Sequence, residues 1–184
     1  MSLAFQWNII DALTPFLGGP LLGLAWLLAV IAAVLAAAHA YRHRGKGAYA
    51  FAPLIVSTGA LLVAFFVPFT QLWLYANFNI NKAAREQVVA KVKSGTFVPN
   101  VAHNAKLIAL PRGSGVSMGG DEILVEGLSS NPYVFFFTFR GILDNYSGFL
   151  WVPDGGRPEQ FGDAGEPGTE IESFGGNWYF IGHR

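Results

Sequence analysis

Ser117, Asp144 and His183 stand in the chain order that one kind of nucleophilic catalysis uses. Gly115-Val116-Ser117-Met118-Gly119 has the G-x-S-x-G pattern of a nucleophile elbow, with an acid and a base following it. That chemistry needs a strained strand-to-helix turn that lifts the serine hydroxyl clear of the backbone. Here Gly119-Gly120-Asp121-Glu122 leads into Ile123-Leu124-Val125, a turn entering a strand, and the surrounding domain is much smaller than a hydrolase sheet. A Gly/Ser turn accounts for the residues better. No catalytic residue is assigned, and the chain is expected not to be an enzyme.

Gly119-Gly120-Asp121-Glu122 also resembles the core of the diguanylate cyclase signature. The resemblance stops at Ile123, where an aromatic is expected, and too little chain remains for a cyclase domain. Glycines followed by acids before a strand are ordinary turn chemistry. The spacing of Gly113, Gly115 and Gly119 misses the dinucleotide fingerprint, and no helix follows to hold a phosphate.

His39 and His43 are the weak candidates for cofactor binding. Their i,i+4 spacing can bring two imidazoles to one metal or tetrapyrrole, and a histidine just inside an Ala-rich helix resembles those of pigment-binding antenna proteins. A third metal ligand is missing and Arg42 and Arg44 crowd the position, so two interfacial histidines near lipid headgroups are the expectation. The acids between 154 and 172 offer oxygen ligands for calcium but lack the alternating spacing of an EF-hand loop. No metal site and no cofactor is expected.

The elements that position these residues begin with two uncharged apolar runs, residues 21–41 and 51–76. Crossing a bilayer takes about 20 apolar residues at roughly 1.5 Å of rise each, and both runs are long enough. Neither has the polar stripe of a helix at the surface of a soluble core. They predict a transmembrane helical hairpin: an interfacial segment at 1–19, spans at 20–41 and 51–76, and a basic cytoplasmic loop at 42–50. Pro68 predicts a kink in the second span. Ala38-His39-Ala40 has the small-x-small look of a leader cleavage site. However, residues 1–10 carry no Lys or Arg, and the apolar run is too long for a leader.

Ala25, Ala29, Ala33 and Ala37 recur every four residues, letting a second helix approach closely. Ala60 and Ala64, with Ser57 and Thr58 as donors, would answer from the other span. This stripe has two uses, packing within the hairpin or docking a partner helix. Arg42, Arg44 and Lys46 have no neighbouring acid and favour a cytoplasmic connector, which puts both termini on the periplasmic or extracellular side of an inner membrane. Lys82, Arg85, Lys91 and Lys93 follow the second span and weigh the other way. They are spread out, and larger domains cross with little regard to charge.

Residues 77–184 read as a small extracytoplasmic α+β domain. Asn81 caps a helix through about residue 94, with Ala84, Val88, Val89 and Val92 as its apolar stripe. The period then changes to two, predicting strands at 106–110, 122–126, 133–140, 148–152, 169–174 and 177–182, bounded by Gly, Pro, Asn and Asp. Residues 133–139 (YVFFFTF) would be an aggregation template on an open edge and belong inside the sheet. Either surplus aromatics, with Phe135, Phe137, Trp151 and Trp178 foremost, form a docking patch, or a helix and the 153–168 loop cover the two faces of the sheet.

Composition narrows the partners. Twelve Lys and Arg balance twelve Asp and Glu, so there is no basic face for nucleic acid, and the absence of cysteine excludes disulfides and thiolate metal sites. The expected partners are the lipid bilayer and other integral membrane subunits. Three functions follow in order: an accessory or assembly subunit of a membrane complex, a membrane-anchored sensor or small-ligand module, and a membrane-bound serine hydrolase using Ser117.

Overall fold

The computed structural model describes residues 6–128, 130–140 and 146–183. Asp144 lies outside them, and of His183 only the backbone is described. The chain divides into two compact units, Met1–Ala76 and Asn77–Arg184. Helices and an antiparallel sheet together make a mixed α+β protein.

In the first unit, α1 runs from Gln6 to His43 and α2 from Ala52 to Phe66. Two short 3-10 turns, Arg44–Lys46 and Ala48–Phe51, join them through Gly47, whose φ of 87° suits a residue without Cβ. Two helical stretches, Gly23–Lys46 and Ala48–Phe66 (α2 with the turn before it), are long and apolar enough to cross a membrane. Helix α1 is unbroken from Gln6, so from residue 6 onward no break separates the interfacial segment expected at 1–19 from the first span. The run at 51–76 is not one kinked helix. Helix α2 stops at Phe66, Val67 takes extended backbone (φ −82°, ψ 119°), and α3, Phe69–Lys93, begins after Pro68. The proline explains this, because its ring disfavours helical backbone in the residue before it.

Helix α1 packs on α2 and on the Ala48–Phe51 turn. Among the described side chains of α1 the buried ones are Ala36 and Ala40; Ala25, Ala29 and Ala33 are half-buried and Ala37 is exposed. Each step of four residues overshoots a helical turn, so a strict four-residue stripe drifts off the contact face. On α2 the half-buried residues include Leu54, Ser57, Leu61 and Ala64, whereas Thr58 and Ala60 are exposed. The Ser57 hydroxyl donates to the Pro53 carbonyl of its own helix (2.6 Å), so it does not bridge the helices.

In the second unit, six strands form one sheet in the order β1-β2-β3-β4-β6-β5: Leu107–Ala109, Glu122–Leu128, Asn131–Arg140, Tyr146–Trp151, Thr169–Gly175 and Trp178–His183 are β1 to β6. Every pairing is antiparallel. The aromatic strand β3 is interior, as its exposure hazard requires. The register shifts between Phe137 and Phe139, where the Thr138 hydroxyl donates to the Ser147 carbonyl (3.1 Å). Alternation along β3 and β4 separates two aromatic layers. Phe136, Phe149 and Trp178 lie on the side of α3, where Phe78 meets Phe149 at 5.2 Å and Trp178 at 5.6 Å. Phe135, Phe137 and Leu150 form the other layer with Phe161 and Ala164 of the 153–168 loop. Both faces of the sheet are therefore covered.

Candidate functional site

Ser117 is buried, and its hydroxyl is engaged on both sides. It donates to the Glu122 carbonyl and accepts from the Phe137 N–H at 3.0 Å, while the Met118 N–H donates to the Phe137 carbonyl at 2.7 Å. The motif thus carries the pairing with β3 past the start of β2, with a side chain standing in for one backbone acceptor. A nucleophile needs its proton aimed at a base and its oxygen open to substrate, and this geometry provides neither.

The following turn places Gly119, Gly120 and Asp121 at φ of 74°, 118° and 54°. A Cβ on Gly119 would stand 3.1 Å from the Arg140 Cβ. The Asp121 carboxylate reaches back to accept from the Gly113 N–H (2.8 Å) and the Ser114 hydroxyl (3.0 Å), closing the loop on itself. Glu122 pairs with Arg140 at 2.6 Å. Both acids of the Gly-Gly-Asp-Glu segment thus brace local structure. The bond from Gly113, then that from Ser114, hold the Asp121 carboxyl below its ordinary value of 3.8. A depressed folded value adds stability above the unfolded value and loses it as pH falls through the folded one. The protection of the Gly113 amide, the factor by which its exchange is slowed relative to the unfolded chain at the same pH, is therefore expected to fall below about pH 4 while β3 stays protected. Asp121→Asn, which tolerates positive φ, is expected to exchange faster at neutral pH and to show no such step. A flat wild-type profile would contradict this.

Arg85 is the residue the sequence reading missed. It is 1 % exposed, deeper than any other charged side chain among the described residues. Its Nε–H donates to the Val116 carbonyl (3.0 Å), Nη1 to the Asn77 carbonyl (3.4 Å) and Nη2 to Asn77 Oδ1 (2.6 Å). The guanidinium lies 4.6 Å from the centre of the Phe149 ring and 5.9 Å from that of Phe136. Among the described residues no carboxylate pairs with it. Burial pushes its pKa down to about 10, leaving it charged at neutral pH.

The aromatic residues named as partner-binding are not a patch. Phe135, Phe137 and Trp178 are 0 %, 4 % and 3 % exposed, because strand alternation turns each into one of the two covered layers. Trp151 is half-buried, with the Lys93 ammonium 5.0 Å above its ring. His39 and His43 have ring centres 4.6 Å apart on α1. No group of three His, Cys, Asp or Glu side chains is placed to hold a metal among the described residues. The loop acids Asp154, Glu159, Asp163 and Glu166 are exposed, and Asp154 accepts from the Asn177 side chain at 2.8 Å.

One open cleft of about 490 Å³ lies where α3 ends and residues 95–99 cross to the sheet. Val92, Phe97, Val98, Ile108, Val125 and Pro132 line it, and Lys106 and Glu126, paired at 2.7 Å, stand at its rim. No protein family, curated protein or solved structure matches this chain. The case for a function therefore rests on these contacts and on the exposed surface of the helices.

Proposed function

We propose that the chain is a membrane-anchored, non-enzymatic accessory or assembly subunit. One observation carries it: the two long apolar helices leave most of their large side chains uncovered, among them Val34, Leu35, Val56 and Phe65 at 62 %, 65 %, 71 % and 75 % exposure. A core helix of a soluble protein would hide these groups, and a contiguous apolar surface on this scale is matched by lipid or by other helices in lipid. The hairpin spans an inner membrane, with its basic connector cytoplasmic and both termini on the periplasmic side. The Ala25, Ala29, Ala33 side of α1 packs on α2, leaving Ala37 and the outer faces for neighbouring subunits. The structural role of Ser117 supports a protein that works by assembly.

A second reading, a module for a small apolar ligand, is favoured by the cleft at the end of α3, whose volume and lining fall within the range of ligand pockets. Native mass spectrometry from mild detergent separates the two. The accessory reading expects other subunits to co-purify with the full chain and expects the chain to resist alkaline carbonate extraction from membranes. A lone chain with a bound small molecule would replace it with the second reading, and release by carbonate would remove both.

A further inference from the structure

The geometry points to a docking surface for anionic phospholipid headgroups at the connector between α1 and α2. This rests on the hairpin reading and adds the chemistry of its lipid partner. Arg42, Arg44 and Lys46 are all exposed, and the sequence holds no Asp or Glu between Asp11 and Glu86. The connector is a tight turn, two 3-10 segments hinged at Gly47, so the three cations are concentrated at one end of the paired helices. Tyr41 and Tyr49 flank them at 70 % and 90 % exposure, and the Arg44 guanidinium lies 4.9 Å over the Tyr41 ring.

Apolar helices that end in tyrosines place those rings at headgroup depth, where the polar tip meets water and the ring body meets acyl chain. Phosphates occupy that layer. Cations held there without a neighbouring acid gain most from lipids with net negative charge; zwitterionic lipids carry their own ammonium and offer less. The occupant is therefore the anionic lipid of the surrounding leaflet, at roughly a fivefold preference for each Lys or Arg near the surface.

The test uses the full chain reconstituted in mixed phosphatidylcholine and phosphatidylglycerol nanodiscs, with retained lipids counted by native mass spectrometry. Phosphatidylglycerol is expected to be retained over phosphatidylcholine by at least about tenfold. The triple variant Arg42→Gln, Arg44→Gln, Lys46→Gln is expected to bring that ratio near parity while leaving the melting temperature of the soluble domain unchanged. Lys91→Gln with Lys93→Gln is expected to leave the ratio intact, and excess inorganic phosphate is expected not to displace the lipid. An inserted chain without preference, a triple variant that keeps it, loss of preference in the Lys91/Lys93 variant, or displacement by phosphate would each overturn the proposal. A chain that fails to insert at all would refute the hairpin reading itself.

Discussion

Gly148→Ala is expected to lower the stability of the β-rich domain by about 3 kcal/mol, an overpacking cost at the upper end of what single methyls inflict. For a domain of this size that is roughly 12 to 24 °C in melting temperature. Gly148 sits on β4 opposite Phe137, and an added Cβ would stand 2.8 Å from Phe135 Cζ and collide with the Phe136 carbonyl oxygen. Neither neighbour yields cheaply. The Phe136 carbonyl is part of an interior strand. The Phe135 ring is stacked on Phe161 (centres 5.3 Å apart, planes at 18°) and edge-on to Tyr146 at 5.3 Å, so moving it disturbs the layer under the 153–168 loop. A thermal melt of the full chain, followed by sheet circular dichroism, measures the loss. Adding Phe135→Leu to Gly148→Ala is expected to cost less than the sum of the two changes, because the shorter side chain vacates part of the contested space. A Gly148→Ala protein that melts within a degree of the parent would show that the close approach is absent.

The six strands were legible because each is a short run of period two bounded by Gly, Pro, Asn or Asp, and each run so predicted holds a strand. The interior place of β3 followed from what its phenylalanines would do on an edge. The helices were less legible. Asn77 and Asn81 look like breaks in an apolar pattern and Asn81 like a cap, yet Asn81 donates to the Asn77 carbonyl at 3.0 Å inside an unbroken helix. The covering face of α3 is Phe78, Arg85, Val89 and Val92, whereas Ala84 is exposed and Val88 only half-buried. Arg85 was hidden among Lys82, Glu86 and Lys91, where a charge reads as solvated. The available signal was its register: it falls seven residues after Phe78 and four before Val89, at the centre of the buried stripe. The glycines and acids of the 153–168 segment suit a solvated loop, but of the two readings of the aromatic sheet it is the one with this loop over a face that the structure shows. Phe161, with 0 % exposure, makes it a lid on the sheet, held by Tyr133 to Gln160 at 2.8 Å and by the Gly162 N–H to Glu126 at 3.0 Å. The site residues were least legible of all, since composition shows how many aromatics there are but does not choose between a docking patch and a sheet covered on both faces, which is what the structure has.

Arg85→Ala is expected to cost about 4 kcal/mol, near the cost of emptying a large core side chain, and so roughly 16 to 32 °C in the melting temperature of the domain. The loss has two parts. Truncation leaves a cavity against Phe149 and Phe136, and it removes the donors to the Val116 carbonyl and Asn77 Oδ1, while the Asn77 carbonyl keeps the Asn81 side chain. Arg85→Met separates them, because it keeps volume against the rings but donates nothing; it is expected to cost about 1 to 2 kcal/mol, partly offset because no charge is left to desolvate. Arg85→Lys is expected to fall nearer alanine, since a compact, strongly hydrated ammonium cannot reproduce the flat guanidinium spread over a ring while reaching acceptors on two segments. The pH dependence has a definite sign. Burial lowers the folded pKa to about 10, below the ordinary guanidinium value, so the group's contribution is flat through neutral pH and stability from this source rises only above about pH 10. Chemical denaturation of the three variants at neutral pH orders them. If alanine cost less than about 1 kcal/mol, the guanidinium would be a passenger among the phenylalanines; if methionine cost as much as alanine, the hydrogen bonds alone would tie α3 to the 111–121 loop.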